Sequence, residues 1–279
     1  MEPAKYKYLL ADASIAPGKE SSGALQLLDL AGEFYANPLG FVQMFFPWRE
    51  PGNPLEHFSG PDEWQCQELR EIGEQVRKCA SDGRNPVSPI RRAVASGHGI
   101  GKSALVAWIV FWLMSTRPDS RSTVTANTYV QLETKTWAAI QQWHRLCLTA
   151  PWFVCTTNRL YHRDSKETWF CSPATCKEEN SEAFAGRHAA DASSFYIFDE
   201  ASAVPDKIFE VAEGGLTDGH PFILLYGNPR RPPESSTASV SATSKTAGFT
   251  SRSIRANAPY PTRNRSSSGS RRTGSMAIL

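Results

Sequence analysis

The chain has 279 residues and a formal net charge of +2, and 41% of its residues are hydrophobic. This length exceeds the ~150 residues of a typical domain, so the chain can bury a sizeable core. The apolar run 104–114 is shorter than the ~20 residues that cross a bilayer, and the N-terminus has no secretory signal pattern. The six cysteines form no C-x-x-C pair. These features exclude a membrane protein and predict a cytoplasmic one with reduced cysteines and no zinc site.

The first predicted helix runs from Pro61 to about Cys79, after an aromatic- and proline-rich segment, 1–60, that we expect to wrap over the domain or dock a partner. Trp64 and Gln65 lie in its first turn. A Trp-Gln pair on an amphipathic helix is commonly one core residue beside one surface residue. That interpretation stays open beside a role in ligand binding.

A glycine-rich loop follows the predicted strand 91–96 and precedes the predicted helix 102–116. Its glycines leave successive backbone N–H groups free to surround phosphate oxygens. Lys102 would reach the β- and γ-phosphates, and Ser103 would bind Mg²⁺ at the helix N-terminus. The usual P-loop pattern has glycine at Ser96, so an ordinary strand-to-helix turn is the alternative. The candidate nucleotide-binding residues in this segment are Ser96, Gly97, His98, Gly99, Ile100, Gly101, Lys102 and Ser103.

The middle of the chain is predicted to hold a strand at 122–126 and a long helix from about 128 to 147. A hairpin with strands 159–162 and 167–170 follows. Apolar residues at helical spacing indicate that the long helix buries one face against the sheet.

A continuous apolar strand, 194–198, runs directly into Asp199 and Glu200. Such a strand is typical of a parallel sheet buried on both faces, where ligands bind at the carboxyl ends of the strands. Asp199 would hold Mg²⁺ and Glu200 would act as general base for the attacking water. An acidic pair can also be a helix N-terminus or a solvated turn, but the upstream P-loop favours the Walker B interpretation.

After a predicted helix at 206–214, the next strand, 221–226, ends in Gly227, Asn228 and Pro229. An amide at this strand tip can hydrogen-bond the γ-phosphate, so Asn228 is a candidate sensor. A plain Gly-Asn-Pro turn is the alternative. Strands that alternate with helices predict a three-layer α/β sandwich with a mainly parallel sheet: a P-loop NTPase fold of the ASCE type, which carries an additional strand and a catalytic glutamate.

Five motifs in this order resemble the ATPase domain of large terminase subunits of tailed bacteriophages over roughly residues 30–230. They are Trp64-Gln65, the P-loop, the stretch Thr125 to Gln131, Asp199-Glu200 and Gly227-Asn228-Pro229. The resemblance implies that Gln65 reads the adenine edge of ATP, that Mg²⁺ is required, and that Thr125 to Gln131 couples the nucleotide site to DNA. It also implies double-stranded DNA, a portal protein and a small terminase subunit as partners, and a ring of copies on the portal.

The arginine that such a motor needs for transition-state charge is not identified by any motif. Arg145, Arg159, Arg163 and Arg187 all lie in predicted loops or at helix ends, and Arg187 is favoured because it precedes the strand of Asp199. The sequence therefore leaves this role open.

Residues 230–279 differ from the body in composition, with eight Arg and one Lys against the single acid Glu234, a net charge of +8 against −6 for the rest. Twelve serines and few large apolar residues predict a disordered tail. We expect domains at 1–60, 61–229 and 230–279, and a gene product truncated or frameshifted before a nuclease domain, because two-metal cleavage needs several carboxylates. The alternatives to an active motor domain are a prophage remnant that binds ATP without turnover and a helicase-like P-loop ATPase.

Overall fold

A computed structural model describes residues 22–79, 88–176, 193–201, 204, 206–216, 219–228 and 250–254. The α-helices in this part of the chain are α1 (Ser22–Glu33), α2 (Pro38–Phe45), α3 (Glu63–Lys78), α4 (Lys102–Thr116), α5 (Tyr129–Gln131), α6 (Ala138–His144) and α7 (Asp206–Gly214). The strands are β1 (Ile90–Ser96), β2 (Arg121–Ala126), β3 (Phe153–Cys155), β4 (Leu160–His162), β5 (Phe170–Thr175), β6 (Ser194–Asp199), β7 (Phe222–Gly227) and β8 (Thr250–Ile254).

The strands form one eight-stranded sheet in the order β3-β4-β5-β2-β6-β7-β1-β8. All neighbouring pairs are parallel except β3 with β4 and β4 with β5. Strand β7 lies between β1 and β6, with Ala95 opposite Gly227 and Asp199 opposite Tyr226. The carboxyl ends of β1, β6 and β7 therefore meet at one edge of the sheet.

The sheet is covered on both faces, because alternate residues of β6 enter two different hydrophobic clusters. Phe195 and Ile197 pack with α1 to α4 and α6, whereas Tyr196 and Phe198 pack with α7. Every residue of β6 is buried, which is why its sequence is continuously apolar rather than alternating. The predicted three-layer α/β sandwich is confirmed.

Helix α4 lies in the interior, and its side chains are buried from Ala104 to Thr116. Such a helix is apolar all round, which explains an 11-residue apolar run without a membrane. Its bounds match the prediction of 102–116. Within the described residues, no helix combines the length and the hydrophobicity needed to cross a membrane.

The described part of the N-terminal segment shares this core. Leu27 of α1 and Phe41 and Phe45 of α2 are at most 1% exposed and belong to the same cluster as α4. The rings of Phe41 and Phe45 stack at 4.3 Å between centroids. The described part of this segment therefore packs against α4.

Two predicted elements differ from the structure in their bounds or their type. The helix predicted at 128–147 is helical from 129 to 144, but its middle, Leu132–Trp137, is a π-helix. The predicted hairpin is present, but its second strand begins only at Phe170. This strand pairs with β4 at Phe170 and Cys171 and is parallel to β2 along its whole length. Strand β3, which pairs with β4, was not predicted because three residues carry too little periodicity.

Most of the predicted disordered tail lies outside the described residues. Residues Thr250–Ile254 are an exception, because they form β8 parallel to β1, with Ile254 opposite Ser96. The side chains of Gln75 and Thr250 are joined by a 3.1 Å hydrogen bond. A segment assigned to the tail by composition thus completes the sheet edge beside the P-loop strand.

Candidate functional site

The P-loop joins β1 to α4 through two glycines in the left-handed region, with φ of 73° at Gly99 and 84° at Gly101. Gly101 is the N-cap of α4. A side chain would be strained at both positions. The turn between strand and helix therefore requires glycine at these two positions.

Helix α3 braces this loop from outside. Trp64 Nε1 donates to the carbonyl oxygen of Ile100 at 3.1 Å, and Gln65 Nε2 donates to that of Gly101 at 3.0 Å. Gln65 Oε1 accepts from the backbone N–H of Asp62 at 2.8 Å, which closes a capping box at the start of the helix. The loop is therefore held by two side chains of one helical turn.

An ion-pair network between buried side chains fixes α3 against β1. Arg92 is 2% exposed and bonds Glu68, which is fully buried, and Glu71. The Nε of Arg92 lies 3.1 Å from Glu68 Oε1. Burial disfavours the charged form, but hydrogen bonds to Glu68 and Glu71 and the negative charge of Glu68 outweigh it and raise the pKa of Arg92. The guanidinium stays charged, and these ion pairs hold α3 in place against β1.

Lys102 is 7% exposed and its ammonium faces the loop and β7. Its Nζ donates to the Gly97 carbonyl oxygen at 2.7 Å and to Asn228 Oδ1 at 2.8 Å. Burial lowers the pKa of Lys102, and the negative charges of Glu200 and Asp199 oppose that effect. An ammonium held by neutral oxygens in a partly desolvated loop is suited to bind a phosphate anion.

Asp199 receives three hydrogen bonds at the end of β6. Its Oδ2 accepts from Thr136 Oγ1 at 2.8 Å and from Ser103 Oγ at 3.2 Å, and its Oδ1 accepts from the N–H of Glu200 at 3.1 Å. Burial raises the pKa of Asp199, and the Thr136 hydrogen bond is the largest opposing cause. The predicted Ser103 and Asp199 pair is brought together.

Glu200 is connected to the P-loop through Asn228. Asn228 Nδ2 donates to Glu200 Oε2 at 2.8 Å, while its Oδ1 accepts from Lys102. The same Nδ2 lies 3.2 Å from His98 Nδ1. One amide therefore bridges the lysine of the loop and the second acid of the β6 end, which sequence reasoning had predicted only as two separate motifs.

An open cavity of about 520 Å³ lies beside these residues, within the roughly 300–1,000 Å³ typical of small-molecule sites. Lys102, Ser103, Asp199 and Glu200 line its P-loop side. Thr134, Lys135 and Thr136 of the π-helix and Gln142 and Trp143 of α6 line the opposite side. Hydroxyl and carboxylate oxygens, which Ser103 and Asp199 supply side by side, are ligands that Mg²⁺ prefers. The residues present fit the implied Mg²⁺.

Gln65 was expected to contact adenine, and that role stays a prediction. It does not line the cavity, and it is 3% exposed with its amide engaged by Gly101 and Asp62. The amide is buried because it caps helix α3 and bonds the backbone of the P-loop.

The structure does not identify the arginine that would stabilise transition-state charge. Arg187 lies outside the described residues. Arg145, Arg159 and Arg163 are described, and none of them lines the cavity. The guanidinium of Arg159 lies over the Phe170 ring at 3.9 Å from its centroid.

Sequence reasoning did not identify Thr136, His98 as a neighbour of Asn228, or Lys135 as a cavity residue. No motif marks Thr136, and its approach to Asp199 depends on the π-helix. None of the six cysteines forms a disulfide in the described part of the chain, and no three His, Cys, Asp or Glu side chains among those residues are grouped as metal ligands.

Comparison with known proteins finds similarity to large terminase subunits. No family model matches the chain. Over 145 residues it is 34% identical to the probable large terminase subunit of Enterobacteria phage P7, an alignment that covers 50% of this chain and 29% of that protein. The chain thus spans less than a third of this relative's length. The resemblance to large terminase subunits predicted from the motifs is confirmed for that half of the chain.

Solved structures with similar coordinates are also large terminases. Two are of the large terminase of a thermophilic bacteriophage: one with a TM-score of 0.46 and 15% identity over 63% of this chain and 42% of that one, and an ADP complex with 0.45 and 16% over 59% and 40%. A third is the ATPase domain of the Thermus phage P74-26 large terminase, with a TM-score of 0.38 and 20% identity over 50% of this chain and 61% of that one.

Proposed function

We propose that this chain is the ATP-hydrolysing motor domain of a phage DNA-packaging terminase. The observation that supports this most is the bridge by Asn228 between Lys102 and Glu200, beside the Ser103 and Asp199 pair. All five side chains meet at the carboxyl ends of neighbouring parallel strands, where α/β proteins bind nucleotides. The sequence similarity to a large terminase subunit indicates which kind of ATPase it is.

The residue roles follow from their chemistry. Lys102 would exchange its Gly97 contact for phosphate oxygens, and the N–H groups of the loop at the N-terminus of α4 would bind the same anion. Ser103 and Asp199 would hold Mg²⁺, which supplies charge neutralisation at the phosphates when bound. Glu200 would accept the proton of the attacking water, and Asn228 would orient Glu200 and sense the γ-phosphate.

Double-stranded DNA, a portal protein and a small terminase subunit are the proposed partners, and a ring of copies on the portal is the proposed assembly. These follow from the family resemblance. Motion of DNA would then depend on coupling between the cavity and the residues from Thr125 to Gln131, which lead from β2 into the cavity wall.

Nucleotide binding is tested by calorimetry with ATP and Mg²⁺ on the wild type, Lys102→Ala and the control Lys207→Ala, whose lysine is exposed on α7. Removal of a charge-assisted contact worth ~1.5–3 kcal/mol should weaken ATP binding by about 10- to 100-fold in Lys102→Ala. The control should bind like the wild type. Equal affinities in all three proteins would remove Lys102 from the site.

Turnover separates a motor from a protein that only binds ATP. Steady-state phosphate release should be detectable in the wild type and lost in Lys102→Ala. A wild type that binds ATP with Mg²⁺ but releases no phosphate would instead support a non-catalytic remnant.

A further inference from the structure

The cavity wall opposite the P-loop contains the π-helix Leu132–Trp137, an uncommon element that occurs mostly at functional sites. Its ends are anchored in the core, since Leu132 is 2% and Trp137 1% exposed, and Trp137 Nε1 donates to the Thr156 carbonyl oxygen at 2.8 Å. Between these anchors, Thr134, Lys135 and Thr136 all line the cavity. The wide turn therefore presents three consecutive residues to the cavity while both of its ends stay fixed.

Thr136 differs from its two neighbours because it is 1% exposed and its hydroxyl points to Asp199. Thr134 is exposed and its hydroxyl donates to the carbonyl oxygen of Val130 within the helix. The Thr136 bond, at 2.8 Å, is shorter than the 3.2 Å bond from Ser103 to the same carboxylate oxygen. Thr136 is thus the closer of the two side chains that hold this oxygen.

The hydroxyls of Ser103 and Thr136 would have different roles if Ser103 is a Mg²⁺ ligand. A hydroxyl binds a cation through an oxygen lone pair and keeps its O–H group, so Ser103 would contact Mg²⁺ directly while it donates to Asp199. Thr136 is the other side-chain donor to this carboxylate and is not among the proposed Mg²⁺ ligands, and the third hydrogen bond to Asp199 comes from the backbone of Glu200. Groups that orient a metal ligand from behind influence metal affinity nearly as strongly as the ligands.

We propose that Thr136 is a positioning residue that holds Asp199 in the orientation required for Mg²⁺, and that the π-helix exists to place it there. The proposal rests on the proposed function and adds to it a residue that no motif contains. It concerns the cation specifically, because Thr136 contacts Asp199 and no residue of the P-loop through its hydroxyl.

The test compares Thr136→Val, which keeps the shape and removes the hydroxyl, with Thr136→Ser, which keeps the hydroxyl. The matched control is Thr123→Val in β2: Thr123 is fully buried, and its hydroxyl has no hydrogen-bond partner in the described part of the chain. ATP affinity is measured by calorimetry over a range of Mg²⁺ concentrations and again in EDTA. Thr136→Ala replaces Thr136→Val if the latter does not fold.

We expect Thr136→Val to need about 10- to 100-fold more Mg²⁺ for half-maximal enhancement of ATP binding, with its affinity in EDTA unchanged. Thr136→Ser should stay close to the wild type, and Thr123→Val should match it. An unchanged Mg²⁺ requirement in Thr136→Val, or an equal loss in Thr136→Ser, would overturn the proposal and leave Thr136 a packing residue. If the wild type itself bound no ATP, the proposed function would fail first, and that result is distinct from both.

Discussion

At the scale of single residues, Glu200 combines an unusual backbone with a specific partner. Its φ of 56° lies in the left-handed region, which non-glycine residues seldom occupy. Residues held in such conformations cluster at active sites, where the surrounding structure determines them. Here the N–H of Glu200 bonds Asp199 and its carboxylate bonds Asn228, so neighbouring side chains fix both its backbone and its side chain.

Glu200→Gln should leave ATP binding nearly intact and lower turnover by ~10²-fold or more, because the amide keeps the shape but cannot accept a proton. Phosphate release and calorimetry on the same preparation measure the two quantities. Glu210→Gln, an exposed position on α7, is the control. Hydrolysis by Glu200→Gln at the wild-type rate would disprove the general-base role.

At the scale of elements, the contact between α3 and the P-loop can be tested through its glycines. A Cβ at Gly101 would lie 2.8 Å from Gln65 Nε2, whereas a Cβ at Gly99 would have no neighbour within 4 Å. Both positions have positive φ, so alanine is strained equally at each. Only Gly101→Ala must also displace Gln65 and its hydrogen bond.

We therefore expect Gly101→Ala to lose about 1 kcal/mol more unfolding free energy than Gly99→Ala, the typical net value of one hydrogen bond. Urea denaturation without nucleotide measures the difference, since both glycines line the nucleotide cavity and ligand effects would confuse the comparison. Equal losses would mean that the hydrogen bond from Gln65 to Gly101 contributes nothing to the free energy of unfolding.

A buried histidine, His220, lies at the end of the sheet opposite the cavity. His220, just before β7, is 3% exposed, and its Nδ1 lies 3.0 Å from the Tyr35 hydroxyl. Burial and then the nearby charge of Arg117 lower the pKa of His220 to about 4. Arg117 itself lies over the rings of Tyr35, Trp112 and Phe222, so the surroundings favour the neutral imidazole.

His220 binds a proton near pH 6.5 in the unfolded chain and only near pH 4 in the folded chain. The free energy of unfolding should therefore fall as the pH drops from 6.5 to 4. The group accounts for about 3 kcal/mol of unfolding free energy between those limits. Denaturant titrations at several pH values should show a shallower acid loss for His220→Gln than for the wild type. His57→Gln, an exposed position, should keep the wild-type slope. A wild-type slope in His220→Gln would contradict the assignment.

At the scale of the whole molecule, β8 decides whether the C-terminal segment belongs to the fold. A chain that ends at residue 255 keeps β8, and one that ends at residue 249 exposes the edge of β1 and loses the Gln75 to Thr250 hydrogen bond. The shorter chain should melt lower, by about 2–4 °C for each kcal/mol lost. Differential scanning calorimetry on both chains measures this. Identical melting temperatures would support the compositional prediction of a tail without packing.

The sequence by itself determined the parts of this protein that depend on local pattern. The apolar run of α4 and the buried strand before Asp199 each fix their own element, because hydrophobic periodicity and glycine position act within a few residues. Since parallel strands that alternate with helices bring their carboxyl ends to one edge, the convergence of Lys102, Asp199 and Asn228 also followed from the order of motifs.

The tertiary structure alone decided the contacts between residues that are distant in the chain and carry no shared pattern. Thr136 reaches Asp199 because a π-helix replaces α-helix between two core anchors, and Gln65 is turned to the loop backbone because α3 packs against β1. Ser- and Thr-rich β8 is a strand because β1 offers it an unpaired edge. Such contacts depend on packing and backbone hydrogen bonding over long sequence separations, which no local propensity encodes.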